Sequence, residues 1–205
     1  QYLVLSRSTC DLTEGSISVR INPDDNSDSP VLFMGGSAEK YQQIVLNASG
    51  QAVFTITDGT TSATLTSSSS VPAGSWTTLT VTLDSATCTL YVDGTQEDQA
   101  STSLVSANVL GPNDYSQAEA YYVGRNWTGD LFDGSVDDIR FYNIAMTQAQ
   151  VANEYRRSGD GIGAFLFAGE MDFDGTSTKL ESGVRNGLNR RIEASAYPRT
   201  SDDVS

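Results

Sequence analysis

The segment that decides the fold spans residues 74–94 and has the sequence GSWTTLTVTLDSATCTLYVDG. Leu79, Val81 and Leu83 alternate with threonines, so these apolar side chains share one face of an extended strand. The alternation resumes after a polar turn at residues 84–86, and Asp93-Gly94 is a pair that favours a two-residue hairpin turn. The stretch therefore predicts two antiparallel strands, each with one buried face.

Similar runs with a period of two lie on both sides of this hairpin. They fall near residues 16–21, 31–34, 44–46, 52–56, 63–71, 121–124 and 134–142, whereas residues 95–118 are polar and predict a long surface connection. A helix is predicted near residues 148–157, because Thr147 and Gln150 have capping-box spacing and Gly159 follows its last turn. The elements predict an all-β, two-sheet antiparallel sandwich with one short helix.

Four apolar side chains are expected to anchor the core of this sandwich. Trp76 opens the first strand of the hairpin, Leu79 and Leu90 lie on its two strands, and Ile139 lies on the last predicted strand. A large ring at the start of a buried strand supplies much apolar area to a core. We therefore predict that all four side chains are buried between the sheets.

The amino-acid composition excludes several classes of function. The 205 residues suit one sandwich domain, and 26 acidic against 12 basic residues give a net charge of -14. A field of that sign repels nucleic acid and anionic lipid, and no apolar run is long enough to span a bilayer, so we expect neither nucleic-acid binding nor membrane insertion. The absence of histidine excludes Ser-His-Asp triads and histidine-ligated metal centres.

Two motifs resemble those of laminin-G-like, concanavalin-A-like jelly-roll domains. The first is the hairpin at residues 74–94, and the second is FDGSVDDIRFYN at 132–143 followed by MTQAQV at 146–151. They occur in the family's order, and the resemblance covers about residues 2–157. It implies a jelly roll, an extracellular location and the binding of glycans or protein surfaces. The family's hydrolases carry an E-x-D-x-x-E-like strand that this chain lacks, so we expect no enzymatic activity.

The resemblance also divides the chain. Residues 1–159 correspond to the jelly-roll domain, and residues 160–205 form a C-terminal extension. Within it, MDFDGTSTKL at 171–180 resembles the opening strand of a similar domain. Three explanations stay open: the extension pairs with its own sheets, it donates strands to a neighbouring copy, or it is a truncated repeat. Pairing in either form would cover an exposed sheet edge.

Calcium is the cofactor that the resemblance suggests, because members of the family often carry a calcium site. Asp133, Asp137 and Asp138 lie close together in the sequence, and calcium prefers several carboxylate and carbonyl oxygens. We predict these three residues as metal ligands. The competing interpretation is that Asp133 forms a turn and that Asp137 or Asp138 pairs with Arg140.

Exposed aromatic rings are the side chains that a glycan-binding surface requires. Tyr115 and Trp127 lie in segments expected to form loops at one end of the sandwich, and we predict both as ligand-binding residues. The competing interpretation places Trp127 as a packing residue beneath a loop.

Covalent modification is predicted at four residues. Cys10 and Cys88 would form a disulfide in an oxidising compartment, with two separate buried thiols as the alternative. Asn47 and Asn126 each begin an N-x-S/T triplet, the acceptor for N-glycosylation along a eukaryotic secretory route.

These observations support two hypotheses about function. The first is a non-catalytic extracellular module for adhesion or for recognition of glycan or protein surfaces. The second is a structural subunit of an extracellular fibre, appendage or particle, assembled through its C-terminal strands. The second hypothesis requires self-association through residues 171–198.

Overall fold

The computed structural model describes residues 2–4, 14–25, 27–35, 39–106 and 120–158, together with the backbone of two short strands at 171–172 and 195–197. Two antiparallel sheets pack face to face and one helix lies outside them. The predicted all-β jelly-roll sandwich is confirmed, and the described residues include the one short helix that was predicted near its end.

Thirteen strands and one helix are formed by the described part of the chain. In order they are β1 (Tyr2–Val4), β2 (Gly15–Pro23), β3 (Ser29–Gly35), β4 (Lys40–Leu46), β5 (Gln51–Asp58), β6 (Ser62–Ser70), β7 (Thr77–Leu83), β8 (Thr87–Val92), β9 (Thr95–Ser101), β10 (Ala120–Val123), β11 (Gly134–Tyr142), helix α1 (Gln148–Ser158), β12 (Met171–Asp172) and β13 (Ser195–Tyr197).

The two sheets differ in size. The seven-stranded sheet has the order β13-β1-β10-β3-β4-β5-β6, and the six-stranded sheet has the order β12-β11-β2-β7-β8-β9. Their edge strands β6 and β9 meet, since the N–H of Thr66 donates to Asp98 at 2.9 Å and the N–H of Ser68 donates to Glu97 at 2.9 Å. These bonds join the two sheets along one side of the sandwich.

The core lies between the sheets and confirms three of the four predicted anchors. Leu79, Leu90 and Ile139 are fully buried. The prediction for Trp76 is wrong, because its ring is only half-buried and lies under the guanidinium of Arg20, 4.7 Å from the ring centroid. Trp76 precedes β7, and its ring packs against a partly exposed arginine rather than between the sheets.

The prediction of a surface connection over residues 95–118 is also wrong at its start. Thr95–Ser101 forms strand β9, which pairs with β8. Most of its side chains are partly or fully exposed, so the strand has no alternation of apolar residues to reveal it. Main-chain hydrogen bonds to a neighbouring strand are enough to hold such an edge.

The helix begins as the capping box predicts and covers part of the outer face of the six-stranded sheet. The N–H of Thr147 donates to the Gln150 side chain at 2.8 Å. Val151 is buried in a small cluster with Tyr91 and Met146, on the side of the sheet away from the main core. The Asp93-Gly94 turn lies directly below, with both residues at positive φ as the hairpin requires.

A buried ionic cluster ties the last strand to the helix. The register of β11 shifts between Asp137 and Arg140, and Asp138 at this bulge has a φ of 55°. Arg140 donates from Nε to Asp138 at 2.8 Å and from Nη1 to Glu154 of the helix. Asp138 is 4 % exposed and Arg140 is 3 % exposed, so these charges depend on one another rather than on water.

The two C-terminal strands pair with the chain's own sheets. Met171–Asp172 pairs with β11, and Ser195–Tyr197 pairs with β1, so each occupies the outer edge of a sheet. A neighbouring copy could supply strands to the same two edges, so the role of the extension stays a prediction.

Replacing Arg140 by methionine should destabilise the fold by about 3 to 5 kcal/mol, because two buried carboxylates would lose their cation. Equilibrium urea unfolding at pH 7 measures the change. Arg156→Gln, on the exposed side of the helix, is the matched control and should shift the free energy of unfolding by less than about 0.5 kcal/mol.

The deficit of this variant should also depend on pH. Burial raises the pKa of Asp138, and the nearby Arg140 counters that effect. Without the arginine, the folded-state pKa of the carboxyl lies further above its unfolded value, so the folded variant binds protons more readily than the unfolded chain. The deficit should therefore shrink as the pH falls from 7 to 5. A deficit that grows on acidification would contradict this account of the cluster.

Candidate functional site

A row of side chains crosses the outer face of the seven-stranded sheet. Tyr122 of β10 lies opposite Phe33 of β3, Phe33 opposite Gln43 of β4, Gln43 opposite Thr55 of β5, and Thr55 opposite Thr64 of β6. The residues that flank them along β3, β4, β5 and β6 include most of the core side chains of this sheet. Because side chains alternate along a strand, the row itself faces away from the core.

Aromatic rings cluster at one end of this row. The aromatic cluster consists of Tyr2, Phe33, Tyr41, Tyr122 and Trp127. Phe33 stacks on Tyr41 with ring centroids 5.5 Å apart, and its centroid lies 6.1 Å from that of Trp127. Tyr2 and Tyr122 meet edge to face at 5.5 Å. Phe33 is 2 % exposed although it lies outside the core, whereas the other four rings are half-buried and present surface to solvent.

A glycine makes the stacked pair possible. A Cβ at Gly35 would lie 2.7 Å from the Cβ of Tyr41, 2.8 Å from the carbonyl oxygen of Lys40 and 3.0 Å from the Phe33 ring. Atoms cannot approach so closely, so any larger residue would push the two rings apart. Gly35 therefore fixes the spacing of Phe33 and Tyr41.

The loop that carries Trp127 is anchored at its base. The N–H of Gly124 donates to the carbonyl oxygen of Val31 at 2.9 Å, and the N–H of Phe132 donates to that of Gly124 at 3.0 Å. Arg125 and Leu131 form an isolated antiparallel bridge just above these bonds. The predicted ligand-binding residue Trp127 thus sits on a short, well-supported loop directly over the sheet.

Asn126 organises the tip of the same loop. Its side-chain oxygen accepts the N–H groups of Gly129 and Asp130, each at 2.9 Å, and its Nδ2 donates to the Asp130 carboxylate at 2.6 Å. Hydrogen bonds from Asn126 and Thr128 lower the pKa of Asp130, so this carboxylate stays charged. The amide predicted as a glycosylation acceptor is therefore already used within the loop.

One cation adjoins the aromatic cluster. The guanidinium carbon of Arg125 lies 4.6 Å from the ring centroid of Tyr2 and 5.0 Å from that of Tyr122. Both distances are typical of cation–π contacts. The two rings hold the arginine head group beside the row rather than out in solvent.

The other end of the row is polar. The hydroxyl oxygens of Thr55 and Thr64 are 3.5 Å apart, and Gln43 lies between them and the rings. All three side chains are partly or fully exposed. Flat apolar faces next to hydroxyl and amide groups can take a flat molecule that has an apolar face and a rim of hydroxyls.

The predicted calcium ligands do not come together. Asp137 lies 3.6 Å from Arg20, and Asp138 is buried against Arg140, as the competing interpretation expected. The N–H of Asp133 donates to the Ser29 hydroxyl at 3.3 Å, on the loop before β11. Within the described ranges no three acidic or cysteine side chains are grouped to hold a metal ion. The structure does not group these three residues, and calcium binding stays a prediction.

The other residues predicted as sites are Tyr115, the two cysteines and Asn47. Tyr115 and Cys10 lie outside the described residues. Cys88 is buried, and burial raises the pKa of its thiol. The disulfide stays a prediction. Asn47 shapes its own turn, since its side-chain oxygen accepts the N–H of Ser49 at 2.9 Å and that of Gln51 at 3.0 Å.

Sequence reasoning identified Trp127 but missed the rest of the aromatic cluster. Tyr2, Phe33 and Tyr41 occur on three strands of the same sheet and converge only through strand pairing. The available signal was an aromatic residue at the solvent-facing position of each of these strands.

The fold and the sequence agree on the class of protein. Two antiparallel sheets in this order define a jelly-roll sandwich of the lectin type, and residues 1–152 match the concanavalin A-like lectin/glucanases superfamily. The chain belongs to this superfamily. No protein with a curated function matches it.

Several solved structures share the fold. Domain 4 of AbnA, a GH43 extracellular arabinanase from Geobacillus stearothermophilus solved with arabinotriose, has a TM-score of 0.58 and 20% identity, with 69% of this chain and 66% of that chain covered. The CBM40 of a Ruminococcus gnavus IT-sialidase bound to alpha2,3 sialyllactose has a TM-score of 0.60 and 15% identity, covering 72% and 85%. A SAP-like pentraxin from Limulus polyphemus has a TM-score of 0.54 and 11% identity, covering 74% and 73%.

Identities this low show the fold alone. The chain spans just under two thirds of the arabinanase domain. Among the helical residues that the structure describes, none belongs to a helix long and apolar enough to cross a membrane.

Proposed function

We propose that the protein is a non-catalytic extracellular module that recognises glycans through the outer face of its seven-stranded sheet. The observation that carries the proposal is the aromatic cluster beside Gln43 and Thr55. A pyranose ring has an apolar C–H face and a hydroxyl rim, and this surface offers rings for the first and hydrogen-bonding groups for the second. Trp127 supplies the largest ring of the cluster, held beside Phe33 by its loop.

The solved relatives support this proposal. A carbohydrate-binding module of the same fold is bound to sialyllactose, and a domain of an arabinanase is in complex with arabinotriose. Each is one part of an enzyme: the first is the CBM40 of a sialidase, and the second is domain 4 of an arabinanase. A glycan-binding role fits the shared fold, while the surface used by this chain is argued from its own side chains.

The residue types on this surface argue against hydrolysis. Glycosidases use two carboxyl groups on either side of the bond that is cleaved. The row from Tyr122 to Thr64 contains no carboxylate, and the chain has no histidine to act as a base. The surface is suited to holding a sugar rather than to breaking it.

Trp127 and Trp76 are the two tryptophans, and they allow a direct test of the surface. In a Trp76→Phe protein the fluorescence comes from Trp127 alone, and a bound sugar ring should quench or shift it. A Trp127→Phe protein reports from the opposite sheet and should give no such response. Trp127→Ala should weaken binding of a glycan found on an array by roughly tenfold or more, because ring anchors dominate such contacts.

Thr87→Ala, on the six-stranded sheet, is a control for the affinity measurement and should bind the same glycan as the unchanged protein. A fluorescence response that comes from Trp76 instead of Trp127 would contradict the proposed surface. If no glycan on the array binds and a protein partner binds through the same rings, the ligand of this surface is a protein rather than a glycan.

A second function is favoured by the C-terminal strands. Met171–Asp172 and Ser195–Tyr197 occupy the outer edges of both sheets, and their pairings comprise only two and three residue pairs. Such short strands contribute little to stability and can exchange with those of another copy. The alternative function is therefore a structural subunit of an extracellular assembly that grows by strand exchange.

Sedimentation of the full chain over a wide concentration range tests this alternative. A subunit should increase in mass with concentration, and Ala196→Pro should reduce the association, because proline removes a main-chain donor from the edge pairing. Ala196→Val is the matched control, since a β-branched residue keeps the strand. A monomer of constant mass at every concentration would exclude assembly through these strands.

A further inference from the structure

We propose that Arg125 makes the surface selective for glycans that carry an isolated carboxylate, such as a terminal acidic sugar. This inference rests on the proposed glycan binding and adds the chemical class of the ligand. It depends on where Arg125 lies, on what it does not contact, and on the charge of the rest of the chain.

The position of Arg125 is fixed from two directions. Its backbone follows Gly124 and forms the bridge to Leu131 at the base of the Trp127 loop. Its guanidinium is held by the rings of Tyr2 and Tyr122, at 4.6 Å and 5.0 Å. A charge placed in this way loses less conformational freedom on binding a ligand than a lysine in solvent would.

The other arginines of the sheets are neutralised. Arg20 pairs with Asp137, and Arg140 pairs with Asp138 and Glu154. No carboxylate among the described residues lies within ion-pair distance of Arg125. Arg125 therefore differs from Arg20 and Arg140 in having no acidic partner among the described residues, and it adjoins the proposed binding surface.

The chemistry of the guanidinium defines the ligand. Cation–π contacts use the charge of the group and leave its N–H donors available for hydrogen bonds. Those donors match the two oxygens of a carboxylate. Tyr122 is shared between Arg125 and the row of Phe33 and Gln43, so a sugar stacked on the rings can place an acidic substituent at the arginine.

The net charge of the protein favours a ligand with one carboxylate over a ligand with many. A net charge of -14 repels a polyanionic chain at long range, whereas a single acidic group meets the local cation. An oligosaccharide ending in one acidic sugar fits both conditions better than a densely sulfated or uronic polymer does.

Matched pairs of oligosaccharides test the inference by calorimetry on the 205-residue chain. The pairs are alpha2,3 sialyllactose with lactose, and a hexuronic-acid-terminated disaccharide with its neutral hexose counterpart. A sulfated lactose distinguishes a requirement for carboxylate from one for any anion. The acidic member of at least one pair should bind roughly 10- to 100-fold more tightly than the neutral member, as expected for hydrogen bonds to a charged group.

Arg125→Gln should reduce that ratio of affinities to about one, and Arg125→Lys should restore only part of it, because an ammonium lacks the planar fork. Arg156→Gln removes one positive charge from the distant helix and should leave the ratio unchanged. The inference fails if the neutral and acidic members bind equally, if sulfated lactose binds as tightly as the carboxylates, or if Arg125→Gln keeps the ratio. Neutral binding that requires Trp127 would leave the proposed function standing, whereas binding to no oligosaccharide would overturn both.

Discussion

The register in which β10, β3 and β4 pair is the constraint on which the candidate surface depends. Tyr122, Phe33 and Gln43 lie opposite one another on one face, and their neighbours along the strands include core residues such as Leu32 and Ile44. Because side chains alternate along a strand, a slip of one residue would exchange these two sets. The apolar residues that stabilise the core therefore also hold the aromatic row on the outside, so the packing of the core and the placement of the row share one cause.

Local features refine what the register establishes. Gly35 allows the Phe33 and Tyr41 rings to stack, and the Asn126 side chain closes the loop that holds Trp127 over them. These contacts fix the positions of the rings, and a surface ordered in this way would lose less entropy on binding the proposed ligand. The opposite sheet is occupied differently, since helix α1 and its ionic cluster cover part of its outer face. Only the seven-stranded sheet leaves a broad described face of rings and hydroxyls open.

The fold could be predicted from the sequence because its strongest signals are local. The two strands predicted in residues 77–92, the Asp93-Gly94 turn and the capping box at Thr147 each depend on a few neighbouring residues, and the structure confirms them. The expectation of one buried face is wrong for β7, because its threonines are buried as well as its apolar residues. Strand β9 escaped prediction because its exposed polar side chains give no period. Trp76 was misplaced because its partner, Arg20, is far away in the sequence.

The candidate site could be predicted only in part, since it is built from pairing between distant segments. Tyr2 and Tyr122 are brought together by β1 and β10, and nothing in either segment alone shows that they meet beneath Arg125. The three aspartates predicted as calcium ligands show that residues close together in the sequence need not meet in the structure. Their closeness in sequence suggested a shared site. In the structure Asp137 pairs with Arg20 of another strand, and Asp138 pairs with Arg140 of the same strand.

The most direct test of the central claim is an NMR titration of the isotopically labelled full chain with a glycan that binds it. If the outer face of the seven-stranded sheet is the recognition surface, the largest amide shift changes will fall on β10, β3, β4 and the loop at residues 124–131. Largest changes on β7, β8 and helix α1 would place the ligand on the opposite sheet and contradict the account.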